Sequence, residues 1–208
     1  MNIYETINKR RTVRDFTEKL IDTEIIHRIL DAGLKAPSND HMRSWEFIIV
    51  NDMPTRLKLI DKVNKNFTRE QITEILDSWK ANDQCQREMY YDGIPKQYNM
   101  LLTAGCLIIP CFRQDYPLLS PSSLSSLNGF ASIWLCIENI LLAAAAEGIF
   151  GVTRIPFETE QPHIKAVLNI PSNYEVPCYL ALGYPKDEPN KIKQIQINVK
   201  DRIHLTWW

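Results

Sequence analysis

Apolar residues recur along the chain in two patterns, a helical spacing and short uninterrupted runs. A helix is predicted over about Thr23–Lys35, because apolar side chains return there every three or four residues after the N-cap candidate Asp22. Pro37 should stop that helix. The runs Glu46–Val50 and Cys106–Phe112 predict strands, and the second is almost wholly apolar, which is typical of a strand covered on both faces.

The other elements are predicted in the same way. Further helices are expected over Ile3–Asn8, Pro54–Lys65, Arg69–Lys80, Leu127–Glu147 and Glu160–Leu168, and further strands over Phe150–Ile155 and Val176–Leu182. Gly148 should end the long helix. The polar segment 81–100 gives no clear prediction, whereas 114–126, with two Pro and five Ser, is expected to be a loop. Alternating apolar residues over Ile195–Val199 predict an extended C-terminal arm.

Composition limits the classes of protein to consider. The chain has 208 residues, 45% of them hydrophobic, so we expect a single domain over 1–208 with a sizeable core. A net charge of −1 gives no reason to expect nucleic acid or an anionic membrane as the main partner. Five Cys without a C-x-x-C pair, and the lack of a signal-peptide pattern, favour a cytoplasmic location. Polar residues interrupt Leu127–Glu147, which favours a buried core helix over a membrane span.

A basic cluster follows the first predicted helix, and its residues suit the binding of phosphate. Arg10, Arg11 and Arg14 each carry a guanidinium fork, and the hydroxyl of Thr12 lies among them. Guanidinium groups bind phosphate through paired, charge-assisted hydrogen bonds. The alternative interpretation is a solvated basic turn that pairs with surface acids.

A polar loop between the second helix and the first strand offers a second candidate site. Its candidate contacts are Pro37, Ser38, Asn39, His41 and Arg43. Open sheets commonly bind ligands at strand ends, where such a loop would lie. Ser38 and Asn39 could hydrogen-bond the edge of a heterocycle, and Arg43 could pair with a ribityl hydroxyl or a phosphate. The alternative is an ordinary connecting loop.

Familiar catalytic and metal-binding signatures are absent from the sequence. It contains no G-x-G-x-x-G, Walker A, G-x-S-x-G or H-E-x-x-H motif, and its four His lack the spacing of metal ligands. Metal-dependent and hydrolytic chemistry is therefore not expected.

Several short motifs, taken in order, resemble the nitroreductase family. The resemblance lies in Arg10-Arg11-Thr12-Val13-Arg14-x-Phe16, Ile21-x-x-Glu24, Ala36-Pro37-Ser38, Trp45-x-Phe47, Gly148-x-x-Gly151-Val152-Thr153-Arg154-Ile155-Pro156, and Gly183-Tyr184-Pro185 followed by Lys191-x-Lys193. Their order and spacing together are specific, and they cover the chain apart from about residues 65–100. The resemblance implies an α+β fold with a central mixed, mainly antiparallel sheet flanked by helices, in an intertwined homodimer.

The resemblance also implies two FMN molecules in the groove between two subunits. Arg10 and Thr12 would contact the phosphate and ribityl chain, and Arg14 would lie near the flavin N1 and C2 oxygen. A cation there would stabilise the reduced flavin. Ser38 and Asn39 would reach the FMN of the dimer.

The C-terminal half would complete this site. By the same resemblance, Arg154, Ile155 and Pro156 would run along the ring and offer backbone groups to its N5 side. Lys193, or alternatively Lys191, would close on the phosphate. The long helix would form the dimer core, and an arm of about residues 190–208 would pack on the partner subunit.

The expected function is transfer of two electrons from NAD(P)H, through FMN, to a small electron-poor acceptor such as a nitroaromatic or quinone. The alternatives are an FMN storage or sensor protein and a specialised chemistry such as reductive dehalogenation or flavin cleavage. The poorly matched segment Asn66–Met100 is expected to hold the lid that decides among them. Tyr90, Tyr91, Tyr98 and Trp79 there are either pocket or ordinary packing aromatics.

One departure from the family pattern bears on substrate choice. Many members carry Asn-x-Gln-Pro-Trp where this chain has His41-Met42-Arg43-Ser44-Trp45. Arg43 adds a charge near the cofactor or the mouth of the substrate site, so the substrate preference of other members does not transfer to this chain.

Overall fold

The fold is built on one antiparallel sheet in a computed structural model that describes residues 2–186 and 196–208. Its strands are β1 (Trp45–Ile49), β2 (Cys106–Arg113), β3 (Phe150–Arg154), β4 (Tyr174–Glu175) and β5 (Tyr179–Gly183). They run in the order β1-β2-β5-β3, with β4 paired to β2, and every strand pair in the described residues is antiparallel. The predicted α+β class, with its mainly antiparallel sheet, is confirmed.

Helices surround this sheet. Within the described residues they are α1 (Ile3–Lys9), α2 (Thr23–Leu34), α3 (Met53–Leu59), α4 (Arg69–Ser78), α5 (Gln84–Gly93), α6 (Gln97–Thr103), α7 (Asn128–Ala146) and α8 (Glu160–Leu168). Short 3-10 turns occupy Asn39–His41, Leu124–Leu127 and Val199–Arg202. Most predicted helices are confirmed in position. The predicted helix Pro54–Lys65 is wrong beyond α3, because Ile60 is the C-cap.

The central strand β2 shows how the core is divided. Leu107 and Ile109 belong to one apolar cluster, whereas Cys106 and Ile108 belong to another, because successive strand side chains point to opposite faces. The first cluster contains residues of α3, α6 and α8, and the second contains residues of α2 and α7. The apolar run over β2 thus reports burial on both faces, as predicted.

The long helix α7 has two kinds of surface. Ile133, Ile137 and Ile140 are buried in the second cluster, whereas Leu135 is 50% exposed. By length and composition, Leu124–Ala146 is apolar enough to cross a membrane, with 39% of it buried. Its packing against α2 and the sheet agrees with the predicted core helix. The helix ends before Gly148, whose φ of 76° lies in the left-handed region that favours glycine.

The segment after α1 runs beside the sheet and brings the basic cluster to β3. Thr12 forms a parallel bridge with Gly151, and the Val13 N–H donates to the Gly151 carbonyl at 3.2 Å. Val13 and Phe16 are buried in the first apolar cluster. The bridge to β3 and the two buried side chains fix the backbone positions of Arg10, Thr12 and Arg14.

Two further regions differ from the sequence-based expectation. The unassigned segment 81–100 contains α5 and most of α6. The extended arm is wrong at Val199, which begins a 3-10 turn that Asn198 caps through its side chain. Ile195 lies outside the described residues.

Candidate functional site

Arg10 and Thr12 line a cavity of about 230 Å³ between the N-terminal segment, α7 and β3. Gly151 and Thr153 form the β3 side, and Glu138 lies on the α7 side. The contact of the Arg10 guanidinium with Glu138 is long, 3.7 Å, and both side chains are at least one-third exposed. Such a pair contributes little energy. Most of the donors on Arg10 are therefore available to an anion.

The loop after α2 lines a second cavity, of about 130 Å³. Ser38, Asn39 and Arg43 lie there with Arg113 and Ser132. The Asn39 N–H donates to the Ser132 hydroxyl at 3.2 Å, which ties the loop to α7. The Arg43 N–H donates to the Ser38 hydroxyl at 3.1 Å, which closes the loop on itself. The structure thus gathers these predicted residues, but in a different cavity from Arg10.

The backbone of this loop is strained. Asp40, His41 and Arg43 have φ values of 49°, 53° and 46°, in the left-handed region that residues other than glycine adopt at a cost. Strain of this kind costs about 1–3 kcal/mol a residue and is concentrated at binding sites. Pro37, His41 and Arg43 are exposed. The loop therefore exposes polar side chains, and its backbone conformation is energetically unfavourable.

Arg14 lies elsewhere, against the end of α5. Gly93 is buried, and a Cβ built on it would lie 2.9 Å from Cζ of Arg14. Burial lowers the pKa of Arg14, while Asp92, Tyr90 and Asp15 partly offset that effect. Among residues 2–186 and 196–208, no hydrogen bond or ion pair to the Arg14 guanidinium is found. Lys96 instead binds Asp15 at 2.6 Å and Asp92 at 2.7 Å.

The side chain of Arg154 has a structural partner. Arg154 is 5% exposed, and its guanidinium binds both carboxylate oxygens of Glu160, at 2.7 Å through Nη2, and donates to Gln97 through Nε at 2.8 Å. The predicted role of Arg154, Ile155 and Pro156 concerned backbone groups and stays a prediction. Ile155 is exposed and Pro156 is buried.

Two further predicted contacts have distinct outcomes. Arg11 is half-buried, and its Nη1 donates to the Arg10 carbonyl at 2.7 Å, so one of its donors is used within the turn. Lys191 and Lys193 lie outside the described residues.

The match to a family model covers residues 7–184, which is most of the chain, under the description Nitroreductase family. The chain belongs to the nitroreductase family. The proposed family signature in the sequence is therefore confirmed.

Relatives with named activities fall into two groups. A protein from Archaeoglobus fulgidus, provisionally named NADH dehydrogenase/NAD(P)H nitroreductase, is 29% identical over 97% of this chain and 96% of its own length. An iodotyrosine deiodinase from Nematostella vectensis is 26% identical over 88% of this chain. The chain spans 66% of that deiodinase.

Solved structures show the same fold. The NADPH:FMN oxidoreductase from Vibrio harveyi complexed with NAD+ has a TM-score of 0.72 and 20% identity, covering all of this chain and 78% of that one. An oxidised iodotyrosine deiodinase bound to FMN and 3-iodo-L-tyrosine has a TM-score of 0.70 and 21% identity, covering 95% and 97% of the two chains. Proteins of this fold thus include one with bound FMN and one complexed with NAD+.

Some residues near Arg14 escaped the sequence analysis. Gly93 and Asp92 lie close to Arg14, Lys96 binds Asp92, and all three belong to the segment that gave no clear prediction. The signals available were Asp83 as the N-cap of α5 and the spacing of four between Asp92 and Lys96. Tyr90 and Tyr91 pack against the small apolar cluster of α4 and α5, which favours the packing interpretation of those aromatics.

Proposed function

We propose that this chain is an FMN-dependent oxidoreductase that transfers two electrons from NAD(P)H to a small electron-poor acceptor by a ping-pong mechanism. The observation that carries the proposal is the cavity beside β3, where Arg10 and Thr12 offer donors with little internal competition. Bound FMN would accept a hydride from the nicotinamide and pass the electrons to a nitroaromatic, quinone or similar compound.

The donors present suit the phosphate and ribityl part of FMN. Arg10 supplies a guanidinium fork, which matches the geometry of phosphate. The Thr12 hydroxyl is exposed, and no hydrogen bond to it is found among the described residues. Arg14 adds a fixed cation farther along the same segment, and a cation near a ring that gains electrons stabilises the reduced form. No side chain needs to act as a nucleophile.

The size and division of the site support a homodimer. The cavities of about 230 and 130 Å³ are each smaller than the roughly 300–1000 Å³ of typical small-molecule sites. Both lie along α7, on which Ala131, Leu135 and Glu138 are exposed at helical spacing. We propose that two α7 helices pack there, so that Arg10 of one subunit and Ser38 of the other share one FMN.

The exposed tail fits the same assembly. Leu205, Trp207 and Trp208 are each at least 82% exposed, and the His204 ring stacks on Trp208 at 4.7 Å. Large contiguous apolar surface of this kind marks an interaction site. We propose that this tail packs on the partner subunit, and that the protein works in the cytoplasm without a nucleic-acid or membrane partner.

The test is an absorbance spectrum of the purified protein, followed by anaerobic titration with NADH and with NADPH. We expect a yellow protein whose flavin band bleaches on addition of a reduced nicotinamide and recovers on addition of a nitroaromatic. A colourless protein that does not bind added FMN would refute the proposal. A yellow protein that neither nicotinamide reduces would support storage or sensing instead.

Reductive dehalogenation is a second candidate, because iodotyrosine deiodinases are among the relatives. The discriminating experiment reduces the protein with dithionite and then offers 3-iodo-L-tyrosine or a nitroaromatic in parallel. Iodide release from the first at a rate above that of nitro reduction would favour the deiodinase function over the proposed one.

A further inference from the structure

The end of α5 touches Arg14 so closely that a Cβ on Gly93 would displace the guanidinium. A Cβ at Gly93 would lie 2.9 Å from Cζ and 3.0 Å from Nε of Arg14, closer than side-chain packing allows. Gly148 is the only glycine with a positive φ among the described residues, so backbone conformation does not demand glycine at position 93. Glycine at position 93 is therefore explained by the close packing of the Arg14 guanidinium on the helix backbone.

The carboxylates near Arg14 are bound by Lys96, so the Arg14 guanidinium is left without a carboxylate partner in the described residues. Asp92 and Asp15 are the carboxylates that act on Arg14. Lys96 lies between them and binds Asp15 at 2.6 Å and Asp92 at 2.7 Å. Because Lys96 takes up both carboxylates, Arg14 is held near acids without being bound by them in the described part of the chain.

We propose that Gly93, at the C-terminal end of α5, is a positioning residue that places the Arg14 guanidinium and so sets how strongly the protein favours reduced over oxidised FMN. The inference rests on the proposed function. Its physical basis is that a fixed cation lowers the energy of a ring that has gained electrons, and that a displaced cation does so less well.

The first experiment replaces Gly93 with Ala in the purified FMN-bound protein. The added methyl must push the guanidinium away, because the group it meets is the far end of a flexible side chain. We expect binding of reduced FMN to weaken about tenfold relative to oxidised FMN, which corresponds to a midpoint potential lower by about 30 mV. Anaerobic titration against a reference dye measures that potential. The matched control is Gln86→Ala, at an exposed position of the same helix, which should leave the potential unchanged.

A double-variant cycle separates this effect from general damage. If Gly93 acts through Arg14, Gly93→Ala should lower the potential in the wild-type background and leave it unchanged in an Arg14→Ala background. An equal shift in both backgrounds would overturn the inference, since the glycine would then act by another route.

Arg14→Lys is the second test, and it decides the matter if Gly93→Ala fails to fold. This variant keeps the positive charge but replaces the guanidinium that packs on Gly93, so the potential should fall, as in Gly93→Ala. A wild-type potential in Arg14→Lys would contradict the inference. Wild-type protein that binds FMN, with variants at the wild-type potential, would overturn this inference alone. Wild-type protein that binds no FMN would overturn the proposed function with it.

Discussion

The two ends of β3 hold arginines in opposite states. At one end, Arg154 is 5% exposed and its guanidinium is bonded to Glu160 and Gln97. At the other end, next to Gly151, Arg10 is one-third exposed and meets Glu138 at 3.7 Å. A guanidinium whose three nitrogens each donate to a partner within the chain, as in Arg154, stabilises the fold. One whose donors are left free at a cavity, as in Arg10, is suited to an external anion.

The largest effect is expected from breaking the buried ion pair between Arg154 and Glu160. Arg154→Met leaves the buried Glu160 carboxylate without its partner, and removal of one member of a buried ion pair costs about 3–5 kcal/mol. Urea denaturation should show that loss in the free energy of unfolding. Arg154→Met with Glu160→Leu should recover most of it, because replacing both charges removes the unpaired one. A single variant as stable as wild type would mean that the pair is solvated.

Arg56 is a second buried arginine whose guanidinium nitrogens all donate within the chain, but its partners are backbone carbonyls and not a carboxylate. Arg56 is 4% exposed, and its guanidinium donates to the carbonyls of Val50, Leu102 and Ala104 at 2.7–3.3 Å. Burial lowers the pKa of Arg56. Arg56→Met should cost about 3 kcal/mol of unfolding free energy, since three carbonyls, two of them in buried contacts, lose their donor. Thermal unfolding of Arg56→Gln, which keeps a shorter donor group, should show a smaller loss.

The sequence predicts the framework better than it predicts these pairings. Apolar periodicity located β2 and α7 because both report burial within a few residues of chain. Periodicity could not show that the Arg154 side chain would be buried, because the chain segment between β3 and α8 is what brings Glu160 close to Arg154. The basic cluster was visible because its residues are adjacent, whereas the contact of Arg14 with Gly93 joins segments about eighty residues apart.

The unassigned segment 81–100 failed for a related reason. The segment buries few side chains, such as Ile94 in a small cluster with Ile72 and Leu76, so its apolar pattern is weak. Tyr91 is stabilised instead by polar contacts, with its hydroxyl 2.8 Å from that of Thr73. Such contacts leave no periodic signal in the sequence.

At the free end of β3, Arg10→Ala should change ligand binding without changing stability. We expect FMN to bind about thirtyfold more weakly, because a phosphate would lose a charge-assisted pair of hydrogen bonds. Isothermal titration of protein stripped of flavin measures the dissociation constant. Arg11→Ala is the matched control, and its effect should be smaller because Arg11 already donates to the Arg10 carbonyl. Equal effects would indicate a general field of positive charge.

Arg43 tests the second cavity in the same way. It is exposed, and its side chain is free to reach a ligand bound at the strained loop. Arg43→Ala should weaken FMN retention by about tenfold. Fluorescence of released flavin on dilution provides the measurement. Unchanged affinity would show that the second cavity does not contribute to the FMN site through this residue.

The smallest effect on FMN binding is expected from a change at Lys96. This residue binds Asp15 and Asp92, and so determines whether the Arg14 guanidinium stays free of a carboxylate, like that of Arg10, or becomes paired, like that of Arg154. Burial opposes the charge on Lys96, but hydrogen bonds to Asp15 and Asp92 outweigh it and raise the pKa of Lys96. A raised folded-state pKa means that this stabilisation is complete below the unfolded value of about 10.4 and is lost as pH rises through the folded value.

Wild-type Tm should therefore fall more steeply above about pH 10.4 than the Tm of Lys96→Met does. At neutral pH, Lys96→Met also releases two carboxylates beside Arg14, which should then pair with the guanidinium as Glu160 does with Arg154. FMN binding should weaken several-fold in that variant, although Lys96 is assigned no contact with the ligand. Wild-type affinity in Lys96→Met would show that Arg14 stays available through its packing on Gly93 alone.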